Sequence, residues 1–351
     1  MLDFMGEANA AALVGLLGGV LLGLAARIGR FCTLGAIEDA LYSSDDRRLR
    51  MWAVAIGVAI LGTQSAIGAG LLDPGVSPYL DQRWNPLGTI VGGLMFGYGM
   101  ALSGNCGYGA LARLGGGDLR SFVIVLVMGL STYVAMSGPL AQLRVTLFPV
   151  IEGSAHLQGA LTPLRAAFGE AAWIAAASIG LVLVGFALTS RAMRASPSHV
   201  IWGAVVGLAI VSGWLGTQWI ADHGFAAEPI QSHSFAAPLG DTMFYLMTAS
   251  GTALSFSVGS VTGVVLGAFL GSLRKGRFRW EACEDPRELR RQMLGAALMG
   301  PGAVLAVGCS VGQGLSAFSL LAYSAPVACL AIFAGAALGL RQLIVGFAPA
   351  E

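Results

Sequence analysis

The sequence predicts an all-α integral membrane protein with about nine transmembrane helices, short re-entrant or broken helices, and an inverted pseudo-two-fold repeat. Three observations carry that expectation. Of the 351 residues, 56% are hydrophobic and only 11% are charged, where a soluble domain carries about 25% charge. There are 51 glycines, small residues that let helix backbones approach where lipid supplies no hydrophobic drive between them. And a cysteine set among glycines occurs twice, at Cys106 and Cys309, in segments that align at a shift of 203 positions. The net charge of +1 builds no basic face for phosphates, which excludes nucleic acid as a partner and leaves membrane lipid as the surroundings.

Apolar runs near the bilayer length of about 20 residues fall at 8–27, 51–70, 87–103 and 121–143. Five more fall at 171–189, 201–220, 243–272, 293–308 and 326–347. The first is expected to be a retained span, not a secretory signal, because acidic Asp3 and Glu7 precede it and its basic flank comes after. Basic clusters follow the first span (Arg27, Arg30, Arg47, Arg48, Arg50), the fifth (Arg191, Arg194) and the seventh (Arg274, Lys275, Arg277, Arg279, Arg287, Arg290, Arg291). Short loops rich in Lys and Arg stay in the cytoplasm, so the N-terminus is expected outside and the C-terminus inside. Between Ala195 and Ser272 there is no Lys or Arg, as an outer loop between the sixth and seventh spans requires.

The repeat aligns "GGLMFGYGMALSGNCGYG" (Gly92 to Gly109) with "GAALMGPGAVLAVGCSVG" (Gly295 to Gly312). A second pairing sets Gly19 to Cys32 against Gly263 to Arg279, each segment reaching Gly-Arg-Phe after an apolar helix. The span count runs the two cysteine-bearing segments in opposite directions. The expected organisation is one transmembrane domain over 1–351, with inverted halves at about 8–143 and 201–347 and 144–200 connecting them. Inverted repeats with Gly-interrupted hydrophobic segments are the pattern of secondary transporters, which bind substrate near the bilayer midplane.

Glycines such as Gly107 and Gly308, beside Cys106 and Cys309, are expected to break the helix where it lines a cavity. Backbone N–H groups freed at such a break, with the positive end of a helix dipole, favour an anion. A thiol is a weak donor with a soft sulphur, suited to contact a sulphur-containing anion without holding it tightly. Such contacts need neutral S–H groups, and desolvation beside an anion disfavours thiolate. Asn105 and Ser310 flank the two cysteines; each either donates to an oxyanion or satisfies a loosened helix end. Arg113 either steers a dianion or anchors the cytoplasmic side.

"GRFC", "SGNCGYG" and "VGCSVGQG", set on this inverted repeat, resemble the YeeE/YedE family of bacterial sulphur-compound transporters. The resemblance is strongest over about 15–45, 92–121 and 260–320. It implies uptake of thiosulphate, or a closely related small sulphur anion, across the bacterial inner membrane, with the N-terminus periplasmic. It also implies that Cys32, Cys106 and Cys309 pass the ion along a central path by S–H to sulphur contacts. The resemblance also implies a partner, a small cytoplasmic sulphur-carrier protein with a reactive cysteine, which is not expected to be fused to this chain. It is expected as a separate polypeptide that docks near Arg274 to Arg291.

The remaining features are read more plainly. Cys329, inside "APVACLAIFAG", is expected to pack, and Cys283 to be a solvated or interface thiol. No Cys-x-x-Cys occurs, and His156, His199, His223 and His233 lie away from the cysteine motifs without ligand spacing, so neither a metal nor a cofactor is expected. Gln64, Gln218 and Gln313 are candidates for interhelical hydrogen bonds. "GGGD" at Gly115 to Asp118 lacks the Gly-Lys-Ser/Thr of a phosphate loop. Glu38, Asp39 and Glu170 near span ends name no coupling ion. A transporter is expected, not an enzyme; the alternatives are a thiol-redox protein using Cys106 and Cys309, or a channel for another sulphur or selenium species.

Overall fold

The computed structural model describes residues 6–81, 84–149, 159–225, 229–282 and 285–346. The expectations for Cys283 and His156 fall outside these ranges. The described chain is helical, with no β-strand and two isolated bridges, Asp118 to Glu281 and Gly159 to Ala322. Its first half comprises α1 (Glu7–Arg27), α2 (Thr33–Tyr42), α3 (Arg47–Gly68), α4 (Pro86–Ser103), α5 (Gly107–Leu114), α6 (Leu119–Met136) and α7 (Leu140–Leu147). There follow α8 (Leu161–Phe168), α9 (Ala172–Leu188), α10 (Pro197–His223), α11 (Ala237–Thr248), α12 (Phe256–Arg274) and α13 (Pro286–Leu305). Last come α14 (310–319), wound as a wider π-helix over Gly312–Ala317, and α15 (Ser324–Val345).

Among the described residues seven helices are long and apolar enough to cross a membrane: α1, α3, the α4–α5 unit, α6, α10, α12 and α15. The other two expected spans coincide with helices that each miss one condition. α9 is apolar but has 17 residues, and α13 opens on Arg287, Glu288, Arg290 and Arg291. Two expected boundaries are corrected. The run 243–272 is divided between α11 and α12, with Ser255 capping α12 by accepting the Val258 N–H. The run 121–143 stops at Met136, where Gly138 and Pro139 end the helix before α7.

The helices pack as two rows, α9–α3–α10–α1–α12 and α15–α4–α13–α6–α11, which meet around α2, α5 and α14. Large apolar side chains remain exposed on the outer surface, among them Leu130, Leu181, Val182, Leu208, Leu246 and Leu330. A soluble protein would bury such a belt; here it faces hydrocarbon.

Glycine sets how closely two of these contacts are made. A Cβ at Gly92 would stand 2.6 Å from the Gly302 carbonyl, and one at Gly302 would stand 2.8 Å from that of Gly92. Likewise Gly99 and Gly295 each face the other's carbonyl at 2.5 Å. α4 and α13 therefore run antiparallel in direct backbone contact. Gly19 and Gly263 also meet, each 3.0 Å from the other's Cα when given a Cβ, but α1 and α12 run parallel, with Gly259 against Ala12 and Gly267 against Val20. The second sequence pairing, Gly19 to Cys32 with Gly263 to Arg279, thus joins parallel neighbours and does not belong to an inverted relation. Its likeness reflects small-residue spacing at one shared seam.

Candidate functional site

Cys32, Cys106 and Cys309 occupy equivalent places in the backbone. Each stands immediately before a short helix, α2, α5 or α14, and its Sγ accepts the N–H of the residue three positions on. Those donors are Gly35 at 3.5 Å, Gly109 at 3.4 Å and Gly312 at 3.4 Å. Sulphur therefore fills the N-cap role usually taken by the oxygen of Ser, Thr, Asp or Asn. Two residues before each cysteine the chain turns left-handed, at Arg30 (φ 59°), Gly104 (φ 75°) and Val307 (φ 56°). A β-branched valine there is a genuine outlier, and strain of this kind gathers at functional sites. Gly308, at φ 152°, completes the third turn.

The three helix starts converge on Ser310. Thr33, next to Cys32, donates its hydroxyl to Ser310 Oγ at 3.2 Å, and the Ser310 side chain also lies beside the Cys106 thiol. Ser310 itself follows Cys309, whose sulphur accepts the Phe235 N–H at 3.2 Å and lies 3.7 Å from Ser234 Oγ. Cys106 and Cys309 are buried, while Cys32 is half-buried. Asn105 is 2% exposed, and its Nδ2 has no acceptor among the described residues. Aromatic rings surround the constriction: Tyr108 lies 6.4 Å from Phe31 and 5.3 Å from Phe235, ring centre to ring centre.

A cavity opens on each side of this plug. The first, of about 360 Å³, reaches Cys32, Gly104, Asn105 and Gly109. Its wall carries six cations, Arg27, Arg30, Arg48, Arg113, Lys275 and Arg277, against one carboxylate, Glu38. Partial burial, then Arg30, Arg277 and Arg27, hold the Lys275 ammonium below the ordinary lysine range, as a concentrated positive field requires. The second cavity, of about 300 Å³, lies at the opposite end of the bundle and reaches Gly308, Ser234 and Tyr79. The arrangement is two chambers separated by a constriction with buried Cys106, Cys309 and Asn105 that presents thiols, an amide and helix N-termini.

Of the residues singled out from sequence, Cys32, Cys106, Cys309, Asn105, Gly107, Gly308 and Ser310 all lie at or beside this constriction. Gly107 is held against the Phe235 carbonyl, 2.6 Å from where its Cβ would be. Arg113 lines the basic chamber and donates to the Gly104 carbonyl at 3.4 Å. Cys329 lies apart, with its sulphur 3.6 Å from where a Gly314 Cβ would be. Gln64 links α3 to α14 through the Ser319 carbonyl, and Gln218 takes the Asp73 N–H. Gln313, in α14, donates to the Ala306 and Val307 carbonyls freed at the end of α13 and accepts from Ser324 at the start of α15. Asp118, the acid of "GGGD", caps α6. Sequence reasoning missed Thr33, Ser234, Phe235 and the glycines at 35, 109 and 312 as a set. Their signal was legible: Cys-x-x-Gly occurs three times, as CTLG, CGYG and CSVG.

A family model described as "Sulphur transport" matches residues 28–338. Among curated relatives, the thiosulfate transporter TsuA of Spirochaeta thermophila is 27% identical over 334 residues, covering 92% of this chain and 96% of its own. The thiosulfate transporter TsuA of Escherichia coli K12 is 26% identical over 325 residues, covering 86% of each chain.

Proposed function

Since this chain belongs to the sulphur-transport family, we propose that it carries thiosulphate across the bacterial inner membrane, handing the ion from Cys309 to Cys106 to Cys32. It is a multi-pass membrane protein that transports a sulphur compound, and not an enzyme. The names of the two relatives support thiosulphate as the ion. The observation that carries the path is the convergence of three cysteine-capped helix starts on Ser310 between two cavities.

An oxyanion leaving the outer chamber meets Cys309 and Ser234, then Ser310 and Cys106, then Asn105 and Cys32. At each step a helix N-terminus stabilises negative charge, so no buried arginine is needed at the narrow point. Each thiol already accepts a backbone N–H, which leaves its own S–H free to point at the ion. Weak donors suit a relay, because an ion bound tightly at one cysteine would not move to the next. The unsatisfied Asn105 amide supplies a stronger donor beside the basic chamber, where the ion is released.

The three basic clusters support a cytoplasmic basic chamber, a periplasmic N-terminus and a cytoplasmic C-terminus. The reciprocal contacts of Gly92 with Gly302 and of Gly99 with Gly295 support inverted halves, about 8–143 and 201–347. A two-fold axis across α4 and α13 exchanges those two contacts at the 203-residue shift. Half-exposed Cys32 in the basic chamber is where a separate sulphur-carrier protein would collect the ion.

Uptake of labelled thiosulphate into proteoliposomes, with protein-free liposomes as baseline, tests the proposal. Saturable uptake that excess thiosulphate abolishes and excess sulphate leaves intact is the expected result. Uptake equal to the baseline would overturn it.

A further inference from the structure

We propose that Arg144 captures the anion on the outer side, seating a small divalent oxyanion against its guanidinium in the second cavity; the proposal rests on the transport reading above. That cavity carries two charged side chains, Arg144 and Asp241. A cation and a carboxylate sharing one chamber would ordinarily pair. Here Tyr133 donates its hydroxyl to Asp241 Oδ1 at 2.5 Å, and among the described residues no ion pair joins Arg144 to any carboxylate. Arg144 Nε is buried and has no hydrogen-bond partner among the described residues. A buried donor with no acceptor is costly to maintain, and at the wall of an open cavity it points to an acceptor brought from solution.

The position is also unusual for the sequence. Arg144 follows the Gly138 and Pro139 break, at the end of the bundle away from the basic clusters, where Lys and Arg are disfavoured. The stretch 195–272, which supplies Ser232, Ser234 and Asp241 to the same cavity, contains no Lys or Arg. A guanidinium presents a planar fork of donors that matches two oxygens of one oxyanion, which a lysine ammonium does not. Asp241 offsets the charge of Arg144, so the chamber is no general sink for anions. An ion gains there through directed hydrogen bonds. Ser234, at the floor, lies 3.7 Å from Cys309 Sγ, which places the captured ion one step from the constriction.

The test uses the full-length protein in two assays, labelled thiosulphate uptake by proteoliposomes and calorimetric binding of thiosulphate to the detergent-solubilised protein. Arg144→Gln is expected to raise the half-saturating concentration about tenfold or more, with the maximal rate within about twofold, and to weaken binding by the same factor. Arg144→Lys should recover part of both, and Asp241→Asn should lower the half-saturating concentration. Parental half-saturation and affinity in Arg144→Gln would overturn the proposal. Should that variant fail to fold, parental values in both Arg144→Lys and Asp241→Asn would overturn it equally. Absence of thiosulphate transport by the parent would count against the function itself, while thiosulphate affinity compared by calorimetry between the parent and Arg144→Gln would still decide Arg144.

Discussion

At Cys32, Cys106 and Cys309, sulphur replaces oxygen as the cap of a helix, and the proposed path depends on that exchange. An oxygen cap would hold an oxyanion's competitor, water, more tightly; a thiol combines a weak donor with a polarisable surface. Cys309→Ala should therefore reduce thiosulphate uptake about tenfold or more, equivalent to about 1.4 kcal/mol of barrier, with the protein still extracted and folded. Cys329→Ala, away from the constriction, should keep the parental rate in the same assay. The glycine three residues after each cysteine is constrained to different degrees. A Cβ at Gly312 would stand 2.7 Å from Ser234 Oγ and 3.0 Å from the Tyr79 hydroxyl, whereas at Gly109 its nearest neighbour is Asn105 Cβ at 3.3 Å. Gly312→Ala should thus impair uptake more than Gly109→Ala, and equal rates would show that the outer side of the constriction tolerates filling. The cysteines and Asn105 were legible because they break an apolar run. Ser234 and Phe235 were not, because their loop is brought to Cys309 by tertiary packing that no local pattern records.

On the proposed path, the elements that meet the ion are the breaks rather than the spans. Apolar runs announce spans well, since bilayer thickness fixes their length. They announce breaks poorly, because hydropathy averaged over a run passes through a few residues of turn. That is why 243–272 read as one span although Thr248 and Phe256 belong to different helices. It is also why the parallel seam of α1 and α12 passed for a second repeat: glycine spacing alone carries no direction. Gly104 isolates the cost of a break, because a Cβ there meets nothing within 4 Å while the backbone sits at φ 75°. Gly104→Ala is expected to destabilise by about 1 to 2 kcal/mol through handedness alone, read as a lowered midpoint of thermal unfolding in detergent. An unchanged midpoint would mean that the turn relaxes.

For the whole molecule, the ordering principle is a difference between its two ends. One chamber has six cations around one carboxylate, and the other has one cation and one carboxylate. On the proposed orientation, Lys and Arg clusters in short loops hold one end in the cytoplasm, and five residues of those clusters, Arg27, Arg30, Arg48, Lys275 and Arg277, line the proposed release chamber. Topology and ion release would then share these cations. Single-cysteine labelling in a background with all five native cysteines replaced checks the sidedness: Thr252→Cys should react with an impermeant maleimide added outside cells, and Ser43→Cys only after the membrane is opened. The reverse pattern would place the basic chamber outside and turn the proposed path around. The most direct measurement compares thiosulphate uptake by the parent and by Cys106→Ala, reconstituted in equal amounts. Uptake by the parent with near-baseline uptake by Cys106→Ala is the expected result; equal rates in the two would contradict a path through the cysteine thiols.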